Sequence, residues 1–406
     1  MSELLLPRNA DDLGEIIRNA SAHKTKLAVV GEHSKQHMGR PMRVDQTLST
    51  RQLSGIAMYS PQELVITAHA GTTLSILEHT LRHEDQQLAF EPIDYGPLFG
   101  FNPGHGTVGS LVACNLSGPR RIRAGAARDS LIGIKGVNGR GEKFQNGGRV
   151  MKNVTGYDLN KGLCGSWGTL CVFSEVTFKV IPRFETAVTL VLHGLDDRLA
   201  VKALCDAMTS PFEVSGAVHL QKDPASRLTL PQLAGTGENI TAIRLESFDA
   251  SVKYRSAKLR KQLSCYGDVI ELDDHKTESF WRDMRHLKFL TRSNAPVWRI
   301  STAPKNGPIV VSELERLVCV SAVYDWSGGL VWLEVPESSD VNASDIRRAL
   351  AHLGGHATLI RASEDVRTRI EVFHPTPGAL GKLTKGIKDS FDPQHILNPE
   401  RMYAGL

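Results

Sequence analysis

The sequence predicts an α+β chain of two domains, and three observations carry that prediction. Short apolar strands alternate with amphipathic helices through the first 183 residues, glycine is concentrated in that part, and mixed strand and helix patterns with little glycine follow from 190 to 370. Of the 36 glycines, 16 lie between Gly100 and Gly168, whereas ordinary surface turns would spread them along the chain. The composition changes after Arg183, which divides the chain into 1–183 and 184–406.

The first element is a helix near Asn9 to Ala20, where Leu13, Ile16, Ile17 and Ala20 fall on one face behind a capping-competent Asn9. Lys26 to Val30 is a short apolar strand that runs into the loop Gly31-Glu32-His33-Ser34-Lys35, whose N–H groups suit an anion. The loop lacks the spacing of a phosphate-binding Walker loop and of a dinucleotide G-x-G-x-x-G turn. Leu64 to Ala68 is a second strand, and a helix starting at Gly71-Thr72 sets Leu74, Leu77 and Leu81 on one face. Leu131 to Val137 and Leu170 to Val180 are further strands, the second with alternating polarity and closed by Pro182.

Between these elements runs Gly106-Thr107-Val108-Gly109-Ser110 and on through Asn115 to Gly118 and Arg121, a stretch that reads as a ligand-binding turn. Glycine lets a backbone approach a ligand closely, and Thr107 and Asn115 offer short hydrogen-bonding arms.

Composition excludes several function classes. A length of 406 residues, 41% hydrophobic and 23% charged, describes a globular chain with room for two or three cores. A formal net charge of +4, from 48 basic and 44 acidic residues, is too mild and too mixed for a nucleic-acid binder. The N-terminal residues carry no secretory pattern and no apolar run reaches the roughly 20 residues of a membrane helix, so the expected location is the cytoplasm. The six cysteines, at 114, 164, 171, 205, 265 and 319, form no C-x-x-C pair, offer neither zinc nor iron–sulfur ligand sets, and read as reduced packing residues. No metal site is expected.

Four motifs in order resemble the flavoprotein superfamily typified by vanillyl-alcohol oxidase. They are Gly31 to Lys35, Thr107 to Gly118, Ala127-Arg128-Asp129-Ser130-Leu131-Ile132-Gly133, and Gly165-Ser166-Trp167-Gly168-Thr169-Leu170-Cys171-Val172. Further stretches narrow the resemblance to the FAD-binding E subunits of bacterial glycolate oxidases. These are Gly118-Pro119-Arg120-Arg121, Met151 to Leu159, Trp298-Arg299-Ile300-Ser301, Gly354 to Thr358, and Asn398 to Ala404. The resemblance implies a two-subdomain FAD-binding domain of the p-cresol methylhydroxylase type, then an α+β cap domain with an antiparallel sheet, and a C-terminal tail returning to the first domain.

The resemblance also assigns candidate cofactor residues. Gly31, Glu32, His33, Ser34 and Lys35 would wrap the FAD diphosphate, and buried phosphates without donors would cost several kcal/mol. Gly106, Thr107, Val108, Gly109, Ser110, Asn115 and Gly118 would lie along the cofactor, with Asp129, Gly168, Thr169 and Val172 completing the set. The chain departs from the pattern at three places: Ser110 and Cys171 replace glycines, and Trp167 stands where many relatives have glutamate. His33 and His105 could tether a flavin, but the resemblance brings no tether with it, so the FAD is expected to be noncovalent.

The function implied is oxidation of glycolate, or D-lactate, to the 2-oxo acid within a complex. A catalytic FAD-linked D subunit and an iron–sulfur F subunit are the expected partners, and any membrane attachment would run through them. Arg299 would hold the substrate carboxylate and His356 would take the hydroxyl proton. An arginine on an apolar strand more often braces a neighbouring carboxylate, and a histidine after Gly-Gly more often satisfies a turn. The alternative is an electron-relay or assembly subunit beside the catalytic D subunit, favoured by the lack of the G-D-G-N-x-H metal cluster of related dehydrogenases.

Overall fold

Asn9 opens the first helix, Ala10–His23, by accepting hydrogen bonds from the backbone N–H groups of Asp11 and Asp12, and the helix buries Leu13, Ile17 and Ala20. The computed structural model describes residues 3–148 and 157–406, so the stretch Met151 to Gly156 lies outside the described residues. The chain divides into two bodies. The first takes in Met1–Ser117, Gly125–Arg183 and Pro375–Leu406, and the second Gly118–Ala124 and Phe184–His374.

Two main sheets build the first body. A parallel three-stranded sheet sets Gln46–Ser49 between Glu3–Leu5 and Leu27–Val30. An antiparallel five-stranded sheet runs in the order Ile56–Ser60, Val65–His69, Cys171–Lys179, Leu131–Asn138, Lys143–Gly147. Pro182 does not simply end its strand: Ile181–Pro182 pairs with Gln86–Gln87, and a proline is tolerated in so short a ladder because it removes only one donor. The core beside the first helix gathers Leu13, Ile17, Leu27, Leu48, Val137 and Val172 with Ile396 and Leu397 from the C-terminal segment. The glycine-rich stretch from Gly106 contains a helix, Val108–Ala113, that Thr107 caps by accepting from the Ser110 N–H. At six residues it is too short for a periodic signal.

The second body is built on an antiparallel eight-stranded sheet. Its order is Val269–Leu272, Thr186–His193, Ile240–Ser247, Gly216–Leu220, Ser321–Asp325, Leu330–Glu334, Val297–Ser301, His356–Arg361. Alternation gives the sheet two unlike faces. One carries Leu190, Leu192, Ala217, Ile243 and Leu245 and is covered by the helices Asp197–Met208 and Asp249–Leu263 through Ala203, Leu204, Leu259 and Leu263. The other carries Arg244, Glu246, Trp332 and Arg299. All six cysteines are free, and Cys265 and Cys319 are exposed rather than packed, which corrects the reading of all six as packing residues. Each lies just past the apolar rows that fill its neighbouring elements, in a segment facing water.

Candidate cofactor and substrate sites

The strand Leu27–Val30 delivers the chain into the loop Gly31 to Lys35. A Cβ at Gly31 would stand 2.3 Å from the Thr107 hydroxyl oxygen, so glycine is what lets this loop lie against the Thr107 stretch. His33 sits in the left-handed region at φ 57°, which turns the loop inward. Lys35 then points its side chain into the protein and is only 9% exposed. Its ammonium donates to Ser34 Oγ at 3.3 Å and to Ser110 Oγ at 3.1 Å, and Ser110 Oγ itself donates to the Thr107 carbonyl at 2.8 Å. Gly106 leaves room beside that ammonium, since a Cβ there would lie 3.1 Å from the Lys35 nitrogen. Burial pushes the Lys35 ammonium below the ordinary lysine range, with Cys114 and Asp94 acting in the opposite sense. Burial likewise pushes the Cys114 thiol up to about 11, so it is a protonated neighbour at neutral pH.

The end of the capped helix carries the next segment. The backbone N–H groups of Gly165 and Trp167 donate to the carbonyls of Val112 and Ala113 at 3.0 and 2.8 Å, which sets the turn Gly165 to Thr169 against Asn115. Asn115 is left-handed at φ 49°, and its Oδ1 accepts from the Arg128 N–H at 3.2 Å. Gly168 has φ 71°, and Thr169 Oγ1 donates to the Ser166 carbonyl at 2.7 Å. Ser166 Oγ is buried without a hydrogen-bond partner among the described residues. Val172 lies opposite Val137, and the pairing of its strand with Val65–His69 stops at Glu175, so that ladder leaves the other edge of Val172 unused.

Two further candidates have contacts of their own. Asp129 is committed to its own short helix, Ala127–Ser130, where it accepts from the Ala126 N–H at 2.8 Å. Gly118 belongs to the second body, and its carbonyl accepts from the Trp326 indole at 3.0 Å.

Sequence reasoning gave no role to the residues that brace these loops. Asn398 accepts from the Val29 N–H and donates to the Trp167 carbonyl, both at 2.7 Å, so one amide joins the entry of the first loop to the Gly165 turn. Arg401 donates to the Lys35 carbonyl at 2.6 Å, and Lys388 donates to the Thr169 carbonyl at 2.7 Å. The signal available was polar residues in a tail that also carries Ile396 and Leu397 into the core.

The donors of this first site fit a long anionic ligand. Among the described residues the buried ammonium has only neutral hydroxyls as hydrogen-bond partners, and a buried hydroxyl at Ser166 lacks one. An FAD carries a diphosphate and many polar atoms, and these residues suit it.

The second body holds a different cluster. Register places Arg299 opposite Trp332 on one side and Thr358 on the other, with His356 opposite Ser301 on the same face. The Arg299 guanidinium stacks 5.1 Å from the Trp326 ring centre and 6.0 Å from that of Trp332, and Arg121 stacks on Trp326 at 4.4 Å. Trp326 and Ser327 are consecutive non-glycine residues at φ 51° and 62°, a strained turn that presents the indole. Among the described residues no carboxylate pairs with Arg299, so it does not brace an acid, as an arginine on a strand usually does. His356 is held below the usual imidazole range by desolvation first, then by Arg299, His374 and Arg121. The Ala357 N–H donates to His374 Nδ1 at 3.4 Å.

A family model described as an FAD binding domain matches residues 2–145. The chain is 33% identical over 394 residues to the glycolate oxidase subunit GlcE of Escherichia coli K12, covering 97% of both chains. The chain belongs to the GlcE family. It is an FAD-dependent oxidoreductase family, and FAD is the cofactor. The glycolate oxidase subunit GlcD of Bacillus subtilis is 23% identical to this GlcE-family chain over 427 residues, 99% of this chain and 88% of that one. Among solved structures, p-cresol methylhydroxylase superposes with a TM-score of 0.73 at 12% identity, covering 99% of this chain and 89% of that one, which shows the fold. Among the described residues no group of three or more histidine, cysteine or acidic side chains could hold a metal ion, and no helix is long and apolar enough to cross a membrane.

Proposed function

We propose that this chain is the FAD-binding subunit of a glycolate oxidase complex and itself holds the site for a small 2-hydroxy acid. The observation that carries the reading is Arg299, a partly buried guanidinium stacked on two tryptophans and paired with no carboxylate among the described residues. Such a group is a seat for a substrate carboxylate, and the flat indoles fix its plane. His356, held neutral at physiological pH, takes the proton from the substrate hydroxyl as the Cα–H bond breaks. When bound, FAD supplies the two-electron acceptor for the hydride leaving Cα. We place it on the loops 31–35 and 106–110, with Asn115, the turn 165–169 and Val172 completing its surroundings. The cysteines offer no iron–sulfur set, which supports electrons leaving for an iron–sulfur partner subunit, with a D-type flavoprotein subunit in the same complex.

The test is to purify the chain with its flavin and add glycolate or D-lactate without oxygen. Loss of the visible flavin absorbance supports a substrate site on this chain. Colour that fades only after a D-type subunit is added refutes it and favours the relay reading. Acid precipitation should leave all the colour in the supernatant, as a noncovalent flavin requires.

A further inference from the structure

We propose that His79 and His83, in the first body, form a surface site for a divalent transition-metal ion of the imidazole-preferring class, Ni2+, Cu2+ or Zn2+. Both lie exposed on the helix Leu74–His83, on the face opposite its buried row of Leu74, Leu77 and Leu81. A spacing of four residues sets two side chains one turn apart on the same face of a helix. Here it brings the two Nε2 atoms to 3.1 Å, with the rings edge to face and their centres 4.6 Å apart.

That separation suits two ligands of one ion. Metal–imidazole bonds of about 2.0–2.1 Å, drawn from nitrogens 3.1 Å apart, meet at an angle of about 95–102°. This lies between the right angle of neighbouring square-planar or octahedral positions and the tetrahedral angle, the geometries these ions adopt. Among the described residues, the partner that faces each Nε2 is the other ring. One of the two nitrogens donates in that contact and the other offers its lone pair. An exposed hydrogen bond contributes little against water, so an ion that takes both lone pairs displaces it at small cost. The stretch from Glu78 to Asp85 holds three acids and one arginine, so the local charge also favours a cation.

Two protein ligands leave the remaining coordination positions to water, which makes the site exchangeable, unlike the closed four-ligand sites of structural zinc. Its effect on the chain is local. After His83 the backbone turns at Asp85, φ 49°, whose carbonyl accepts from the Arg183 N–H at 2.7 Å, and enters Gln86–Gln87, which pairs with Ile181–Pro182. A bound ion clamps the last turn of the helix just ahead of that ladder. Because it binds the folded turn in preference to the open chain, it raises thermal stability.

The experiment is a calorimetric titration of the flavin-loaded chain with Ni2+ at mildly alkaline pH, comparing the wild type with His79→Asn, His83→Asn and the double variant. Either single variant should lose one Ni2+ equivalent per chain, and the double should lose no more, since a chelate fails when either ligand goes. Ni2+ should also raise the Tm of the wild type more than that of the variants. His23→Asn removes another exposed histidine, one whose ring bonds the Asn19 carbonyl of its own helix, and should leave the titration unchanged. All of these side chains are exposed, and the visible flavin absorbance of each variant checks that its fold is kept. Wild-type binding by all three variants overturns the proposal. So does a loss confined to one of the single variants, which would mark a lone imidazole, and so does a double variant that loses the sum of the two single losses, which would mark two independent rings.

Discussion

Replacing Lys388 by methionine takes from the buried Asp392 the one cation that pairs with it among the described residues. The two side chains are 3% and 0% exposed, and the ammonium donates to Asp392 at 2.7 Å, to the Thr169 carbonyl at 2.7 Å and to the Leu397 carbonyl at 3.0 Å. Asp392 in turn accepts from the N–H groups of Ile396 and Leu397 at 3.1 and 2.8 Å, so the pair fixes the segment that adds Ile396 and Leu397 to the core. Breaking a buried pair by removing one partner costs about 3–5 kcal/mol. In a body of about 200 residues each kcal/mol moves Tm by about 2–4 °C, so Lys388→Met should lower it by about 6–20 °C. Heat release of FAD, followed by flavin fluorescence, reports on the body proposed above to hold it. Lys388→Met with Asp392→Asn removes the stranded charge yet keeps an acceptor for residues 396 and 397, and should regain more than half of the loss. A shift under about 2 °C for the single variant, or no recovery in the double, refutes the reasoning.

Three further outcomes are expected. Arg299→Ala should lower kcat/KM for the 2-hydroxy acid by about 10- to 150-fold, the worth of one charge-assisted hydrogen bond, measured by dye reduction. For His356, kcat/KM should rise with pH through a midpoint below the usual imidazole range, and His356→Asn should abolish that limb. Glu246, buried between Arg120 and Arg244, is held down to about 2 against an ordinary 4.5. Desolvation raises its pKa and the two guanidiniums outweigh that effect. Its depressed pKa contributes stability that is present above about pH 4.5 and is lost as pH falls toward 2, so Glu246→Gln should flatten the acid limb of thermal stability in that window.

Much of what positions the loops 31–35 and 106–110 was legible because it is local. Asn9 before an apolar i, i+3, i+4 row gives the first helix, and clustered glycines give the loops. The helix Val108–Ala113 was missed because Thr107 and Ser110 spell a cap over too few residues for periodicity to speak. The bracing contacts were beyond reach for another reason: Arg401 meets Lys35 across 366 residues and Lys388 meets Thr169 across 219. No window along the sequence spans such a pair. Arg299 was found as a residue, but its company was not, since Trp326 and Trp332 arrive from a separate hairpin whose register the sequence does not state.

The first body is stitched from three stretches of chain, and this orders its birth on the ribosome. The strand Leu27–Val30 exists early, yet Leu27 pairs in parallel with Leu397, which is synthesised only after the whole of 184–374. At about 5–20 residues per second those 370 residues take about 20–75 s, during which 184–374 can fold while the loops 31–35 and 165–169 wait for Asn398 and Arg401. The bracing of the loops 31–35 and 165–169 is therefore completed late, set by synthesis of the tail rather than by the appearance of the loops themselves.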